Sequence, residues 1–323
     1  MTRRRRLFRE DLAAPEILLV PVAHDPLCAR IIERAGFRAV GLGGYANSAA
    51  LLGLPDLEVL GAKEMVDAAW RTVDAVDIPV FTDADNGYGD ATNVAWTVRQ
   101  LERAGVAGLF VEDQPSPKRC GHMNGKRVVP VEEMVAKIRA AVDARSDGEM
   151  LITARTDALA VHGIDDAMAR AHRYVDAGAD AVFVESPTTE KQLRRIAGEI
   201  TAARGIPTMA NIIPGGATPL LTAGELQGLG FSMVIYPTIA SYTIARAVTD
   251  VVTGLLATGD VSALAAEMVD FGQFNELVGL DRIRAKEREY RHGPGGAGRS
   301  DPSAVDRLPA DPASCPTHRG GGR

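Results

Sequence analysis

The chain is poor in cysteine. Cys28, Cys120 and Cys315 are the only ones in 323 residues. So odd and sparse a set excludes a disulfide framework and fits a reducing compartment, so a cytoplasmic location is expected. No uninterrupted apolar run reaches the ~18 residues that span a bilayer, and no membrane partner is expected. Arg3-Arg4-Arg5-Arg6 has no apolar stretch of signal-peptide length behind it before Glu10 and Asp11. It reads as the solvated start of a first helix. Positive charge is not in excess either: the net charge of −6 gives no reason to expect nucleic acid. Large apolar residues almost vanish from 291 to 323, where Gly, Pro, Ser and Arg predominate. That segment reads as a disordered tail, and Cys315 within it as incidental.

What is present is an alternation. With 46% apolar residues the chain can bury a large core. Short apolar runs at 17–22, 37–42, 78–82, 106–111, 150–154, 181–184, 206–210 and 231–235 read as strands. Helical spacing follows at 27–35, 62–76, 92–104, 131–144, 165–177, 190–203, 222–229 and 239–257. Eight such units with short connections imply a parallel sheet, and at this length a closed (β/α)8 TIM barrel rather than an open doubly wound one. A helical extension from about 261 completes a single domain over 1–290.

The predicted strands end in polar residues: Gly43-Gly44, Asp83 and Asp85, Glu112, Arg155, Glu185 and Asn211. In a β/α barrel those ends converge on one face, where active sites are built. Any one of them could be a helix cap or a turn, but buried carboxylates are costly unless a cation accompanies them. Asp83 and Asp85, two apart on one strand end, point to the same side and form an oxygen-rich cluster with Glu112. No His-x-x-His or Cys-x-x-Cys pair accompanies them, which argues against zinc there and for Mg2+, with Mn2+ possible. Gly43-Gly44 is either an anion-binding backbone or a plain tight turn. Arg155 either grips a substrate carboxylate or pairs with Asp157. Asn211 either orients a substrate or caps the next segment.

Pro117-Lys118-Arg119-Cys120-Gly121-His122 sets two cations, a thiol and an imidazole on a Pro/Gly loop past a strand. Nearby positive charge lowers a thiol's pKa, so Cys120 is expected to lean toward thiolate and to act as a mobile acid/base or nucleophile. Cys28, inside an apolar helix, reads as packing, whereas His24 could face the site. His162 and His172 read as helix-surface residues.

These motifs together resemble the isocitrate lyase/phosphoenolpyruvate mutase superfamily over residues 7–290. The resemblance is carried by Asp83-Ala84-Asp85-x-Gly-Tyr-Gly, Val111-Glu112-Asp113-Gln114, Lys118-Arg119-Cys120-Gly121-His122 and Ala154-Arg155-Thr156-Asp157-Ala158, with Gly53-Leu54-Pro55-Asp56 and Gly216-Ala217-Thr218-Pro219. It implies a barrel with Mg2+ on Asp85, with Asp83 and Glu112 through waters, and Asp56 in the surrounding polar shell. It further implies a gating loop bearing Lys118, Cys120 and His122, substrate contact by Arg155, and a pocket lined by Glu185 and Asn211. A homotetramer exchanging C-terminal helices is the implied assembly. The loop cysteine resembles the carbon–carbon lyase branch, near 2-methylisocitrate lyase and dimethylmalate lyase-like members. Those enzymes release a 2-oxo acid, with the thiol as proton donor. Oxaloacetate decarboxylase or hydrolase and carboxyphosphonate phosphonomutase reactions share much of the same pattern. Two stretches depart from 2-methylisocitrate lyase: Gly43-Gly44-Tyr45 replaces Ser-Gly-Gly, and Asn211-Ile212-Ile213-Pro214-Gly215-Gly216 replaces Asn-Ile-Thr-Glu-Phe-Gly. A third substrate carboxylate loses partners thereby, which favours a 2-hydroxy or 2-oxo dicarboxylate bound through the Gly43–Tyr45 amides.

Overall fold

In the computed structural model, residues 1–292 are described. The predicted tail lies outside them, except that the last helix runs on through Arg291 and His292. Eight parallel strands close into a barrel in sequence order, β1 (Leu18–Ala23), β2 (Val40–Leu42), β3 (Val80–Asp83), β4 (Gly108–Glu112), β5 (Leu151–Thr156), β6 (Ala181–Val184), β7 (Thr208–Asn211) and β8 (Met233–Tyr236). Closure is made by β1 on β8, with Leu19 opposite Val234 and Pro21 opposite Tyr236.

The chain starts with α1 (Thr2–Ala13), and α2 (Pro26–Arg34) follows β1. Past β2 come the short α3 (Gly44–Asn47), a π-helical turn at Ser48–Leu52, and α4 (Ala62–Ala75). The next crossovers are α5 (Ala91–Ala104), α6 (Val131–Ala144), and α7 (Ala158–His162) with α8 (Ile164–Asp176). Then come α9 (Glu190–Ile196), α10 (Ala223–Leu229) and α11 (Ile239–Thr258). Local signals set these limits. Asp90 caps α5 through the amides of Thr92 and Asn93, and Thr222 caps α10 through the amide of Glu225. Gly105 and Gly230 end the same two helices in left-handed conformation.

The four-arginine run is not a solvated helix start. Arg5 is buried, its guanidinium donating to the carbonyls of Val106 (3.0 Å) and Glu102 (2.7 Å) and pairing with Asp147 at 2.8 Å. Arg4 reaches the Val73 carbonyl, and Arg9 those of Gly148 and Glu149. These carbonyls lie at helix ends and in loops on the N-terminal side of the barrel, where a fork of donors satisfies several at once. So held, α1 sends Phe8 and Leu12 into the barrel floor against Leu18, Leu151 and Met233, with Phe8 stacked on Phe81 at 5.5 Å between centroids.

Residues Met1–Asp270 form one compact unit. The second begins at Phe271 and contains α12 (Phe271–Leu277) and α13 (Leu280–His292). In the first unit α11 buries no side chain and exposes Ile239, Ile244, Val248, Val252, Leu255 and Leu256. By length and composition this helix is apolar enough to cross a membrane. The expectation from uninterrupted runs passed over it because Arg246 and Asp250 interrupt its apolar residues.

Candidate active site

Strand side chains alternate, so residues two apart enter the barrel as successive layers. Phe81, Phe110 and Phe183 form one layer, their rings 5.7 and 5.8 Å apart. The next layer toward the C-terminal face is polar: Asp83, Glu112, Arg155, Glu185 and Asn211, all buried. The aromatic layer seals the floor beneath them, and Arg155 lies 5.1 Å from the Phe183 ring centroid.

Of the two readings of Arg155, the pairing with Asp157 is present. Nε and Nη2 grip Asp157 at 2.9 and 3.1 Å. Nη1 turns to Glu112 and Glu185, 3.4 Å from each. Asp85 is not on a strand end as predicted. It sits one turn beyond β3 at φ 46°, its amide donating to Asp83 Oδ1 at 2.8 Å. The turn still brings both carboxylates together: a Cβ at Gly44 would lie 2.9 Å from Asp85 Oδ1 and 3.2 Å from Asp83 Oδ2. That close approach requires glycine. The Gly44 amide donates to Asp83 at 3.1 Å, so it is not presented to a substrate anion, contrary to expectation. Gly43 and Tyr45 do line the cavity, and the Tyr45 hydroxyl meets that of Tyr242 at 3.4 Å.

The loop after β4 folds over this layer. Lys118 Nζ lies 2.6 Å from Asp85 and 2.7 Å from Asp56. Burial alone would lower its pKa, but Asp85, Glu112, Asp56 and Asp83 outweigh burial and hold it charged. Gly121 presses on the site so closely that a Cβ there would meet Arg155 and Glu185. His122 Nδ1 accepts from the Ala217 amide at 3.1 Å, which places the proton of the neutral ring on Nε2, 3.0 Å from Glu185 Oε1. Burial would raise Glu185, but Arg155 and His122 hold it well below the usual carboxylate range. The His122 ring therefore ties the loop to β6 and to the segment after β7.

Cys120 departs from expectation. Burial pushes its thiol up to about 11, and the His122 backbone N–H only tempers this. The charge of Lys118 is taken up by Asp56 and Asp85 and leaves the sulfur protonated. Asp83 is raised to about 7 by burial and by Asp85 beside it, and Glu112 well above its ordinary value by burial.

Two loop anchors escaped the sequence reading. Glu58, at φ 58°, accepts from the Lys118 amide (2.5 Å), Ser116 Oγ (2.8 Å) and Asn86 Nδ2 (3.2 Å). Lys126 donates to the Gly121 carbonyl and to Asp157 Oδ1, the latter at 3.0 Å. Each lies close in sequence to a residue already singled out, Asp56 or His122, and that proximity was their only signal.

The carboxylates suit a hard divalent cation. Both Glu112 oxygens are buried without a hydrogen-bond partner, Oε2 facing Arg155 Nη1 only at 3.4 Å, while Asp83 stands nearby and Asp85 is paired with Lys118. Oxygen donors left unsatisfied in this way fit Mg2+ or Mn2+ chemistry. Above them a cavity of about 60 Å3 is lined by Val22, Tyr45, Cys120, Arg155, Asn211 and Ile213, among others. Cys120, Gly121 and His122 of the loop form part of the wall of this small cavity. Cys28 packs in the core as expected, and His172 meets Glu199 at 3.3 Å near the surface.

Comparison with known proteins agrees with this geometry. The phosphoenolpyruvate phosphomutase family matches residues 8–256. A 2,3-dimethylmalate lyase of Eubacterium barkeri is 45% identical over 88% of this chain and 98% of its own. An oxaloacetate acetylhydrolase structure with 3,3-difluorooxalacetate superposes with TM-score 0.82 at 30% identity, over 90% of this chain and 96% of that one. A phosphonopyruvate hydrolase structure with oxalate and Mg2+ gives TM-score 0.79 at 30% identity, over 89% and 99%. With the barrel, the carboxylate layer and these matches in agreement, the chain belongs to the phosphoenolpyruvate mutase/isocitrate lyase superfamily of enzymes, with named lyases among its relatives.

Proposed function

We propose that the protein is a Mg2+-dependent carbon–carbon lyase that cleaves a 2-hydroxy dicarboxylate of the 2-alkylmalate class into a 2-oxo acid that keeps the alkyl group, pyruvate where that group is methyl, and a second carboxylate. The observation that carries this reading is the placement of Cys120 on the wall of the cavity over the carboxylate layer, beside Arg155, Glu185 and Asn211, with its thiol pushed up by burial. A donor that keeps its proton at neutral pH is what a departing carbanion needs.

Asp85, Asp83 and Glu112 would hold the ion, with Asp56 behind them. When bound, it polarises the 2-oxygen and carboxylate of the substrate and offsets charge on the departing 2-oxo acid. Nη1 of Arg155 faces the same region and orients a carboxylate, and Glu185, to which Asn211 Nδ2 donates, fixes the position of His122. A carboxylate of the cluster receives the hydroxyl proton, and the C2–C3 bond breaks. C2 becomes the carbonyl carbon of the 2-oxo acid. The bonding pair passes to C3 as the enolate of the second carboxylate, and Cys120 Sγ–H delivers its proton there. Closure of the loop excludes water from the enolate.

Val22, Ile213, Ile235 and Pro237 make part of the cavity wall apolar. Such a wall accepts alkyl substituents and leaves a third carboxylate unpaired, which favours an alkylmalate over a tricarboxylate. The relationship to 2,3-dimethylmalate lyase supports the same class. The likeness to oxaloacetate acetylhydrolase supports a second reading, hydrolysis or decarboxylation of oxaloacetate on the same groups. We place the enzyme in the cytoplasm as a homotetramer, in which the exposed apolar face of α11 would be covered by neighbouring copies. The deciding experiment is a Mg2+-dependent screen of 2,3-dimethylmalate, 2-methylisocitrate, isocitrate and oxaloacetate, with pyruvate, glyoxylate, oxalate and CO2 followed separately. Turnover of oxaloacetate without cleavage of any 2-alkylmalate would overturn the lyase reading.

A further inference from the structure

At the end of β1, and not among the residues that line the cavity over the carboxylate layer, His24, Asp25 and Cys28 bring an imidazole, a carboxylate and a thiol together, with one ligand atom from each within 4.8 Å of the others. His24 Nε2 lies 3.6 Å from Cys28 Sγ and 3.5 Å from Asp25 Oδ2. The second separation is too long for a hydrogen bond, for which N···O runs ~2.7–3.2 Å. Both separations match the edges of a tetrahedral zinc site. Zinc–sulfur and zinc–nitrogen bonds of ~2.3 and ~2.0 Å set an S···N edge of about 3.5 Å, and nitrogen and oxygen ligands an N···O edge of about 3.4 Å.

The three groups are also held in place. Asp25 is the N-cap of α2, and its Oδ1 accepts the Cys28 amide at 2.7 Å, which leaves Oδ2 turned to the imidazole. Cys28 is fixed in the core beside Ala29 and Ile32. The His24 side chain is only 10% exposed, and its second nitrogen, Nδ1, is buried without a hydrogen-bond partner. No strong hydrogen bond therefore ties the ring away from a metal. The Asp25 side chain, 43% exposed, leaves a solvent-facing approach for an ion and for a water as fourth ligand. A thiolate and an imidazole are borderline-soft donors, unlike the all-oxygen set of Asp83, Asp85 and Glu112.

We infer that His24, Asp25 and Cys28 form a second metal site, selective for Zn2+ and similar borderline-soft cations and independent of the oxygen-ligated Mg2+ site. Binding there converts Cys28 Sγ–H to a metal thiolate with release of one proton to solvent, and ties β1 to the start of α2.

The test uses the full chain, stripped with a chelator and saturated with Mg2+ so that the oxygen cluster is occupied. Co2+ is then titrated as a spectroscopic stand-in for Zn2+. The expected result is one equivalent bound, with a thiolate-to-cobalt charge-transfer band in the near ultraviolet that Zn2+ abolishes. Cys28→Ala is expected to lose the band, and Cys120→Ala and Cys315→Ala to keep it. His24→Gln is expected to weaken binding at least tenfold. Asp25→Asn, which still caps the helix, keeps the fold and weakens binding by a smaller factor. A wild-type chain with no band at millimolar Co2+ would overturn the inference. So would a band that survives Cys28→Ala in a protein whose circular dichroism is unchanged.

Discussion

Lys118 Nζ stands 2.6 Å from Asp85 Oδ1, so closing the loop places a buried cation against the carboxylate expected to hold the metal. The lid and the carboxylate cluster are thereby one electrostatic unit. Lys118 also bridges to Asp56, and without it two buried carboxylates would face each other unpaired. Breaking a buried pair in this way costs ~3–5 kcal/mol. Lys118→Met is therefore expected to hold the loop open, with turnover reduced at least 100-fold. Limited proteolysis at Lys126 and Arg127 measures the opening, and a variant as resistant as wild type would refute the coupling.

Cys120 is protonated throughout the neutral range, its thiol standing at about 11. Its alkylation by iodoacetamide is expected to rise about tenfold per pH unit from pH 7 to 10, because only the thiolate reacts. A plateau near neutrality would contradict the buried environment. The sign for stability follows from the same shift. The fold holds the proton more tightly than the unfolded chain does, so this contribution is intact below pH 9.0 and is lost as pH rises through about 11. Cys120→Ala is expected to lower kcat by ~10²–10⁴-fold with little change in substrate affinity, measured by steady-state kinetics and equilibrium binding.

Glu58 is a positioning residue. One carboxylate ties the loop before α4, the turn after β3 and the lid, and does so from a left-handed backbone. Glu58→Gly relieves the backbone and removes the tie, whereas Glu58→Gln keeps an acceptor. We expect the glycine variant to lose kcat and lid protection together, and the glutamine variant to recover most of both. Equal loss in the two, read by kinetics and by hydrogen exchange at 116–122, would mean that charge rather than the tie is what matters.

Arg5→Ala is expected to destabilise the fold by about 3 kcal/mol, because it leaves the Val106 and Glu102 carbonyls buried without a partner and removes the cation beside Glu102 and Asp147. Activity per folded molecule should not change, since the residue lies at the opposite end of the barrel from the lid. Arg3→Ala, at an exposed position, is the control. Glu102 gives this end a pH dependence. Burial would raise its pKa, but the Ser146 amide and hydroxyl and the Asp147 amide lower it. The stability it adds is present above its ordinary value of 4.5 and is lost as pH falls through the lower folded value. Urea denaturation midpoints between pH 3 and 7 test the trend.

The barrel was legible because its signals are local. Each strand is a short apolar run and each helix an apolar stripe, so eight repeats of the pattern were enough to recover the order. The predicted 181–184 and 131–144 match Ala181–Val184 and Val131–Ala144 without change. Predicted 190–203 was read as one helix, but after Ile196 the backbone widens into a π-helical turn through Ala202, which side-chain periodicity does not register. Arg3–Arg6 was misread because a charge run looks solvated until the carbonyls it satisfies are known. Those belong to residues some hundred positions away.

By itself the sequence determined which residues end the strands and which loop carries the thiol, and so the family and the face of the barrel where chemistry occurs. Those features depend on alternation over a few residues. Only the tertiary structure decided what each group does there. It gave the fork of Arg155 to Asp157 and its remaining nitrogen to Glu112 and Glu185, and the Gly44 amide to Asp83. It paired Lys118 with Asp85, and kept Cys120 a thiol where its neighbours in sequence pointed to a thiolate. The physical reason is that charge state depends on burial and on partners brought in from other strands, and neither is written in the residues beside it.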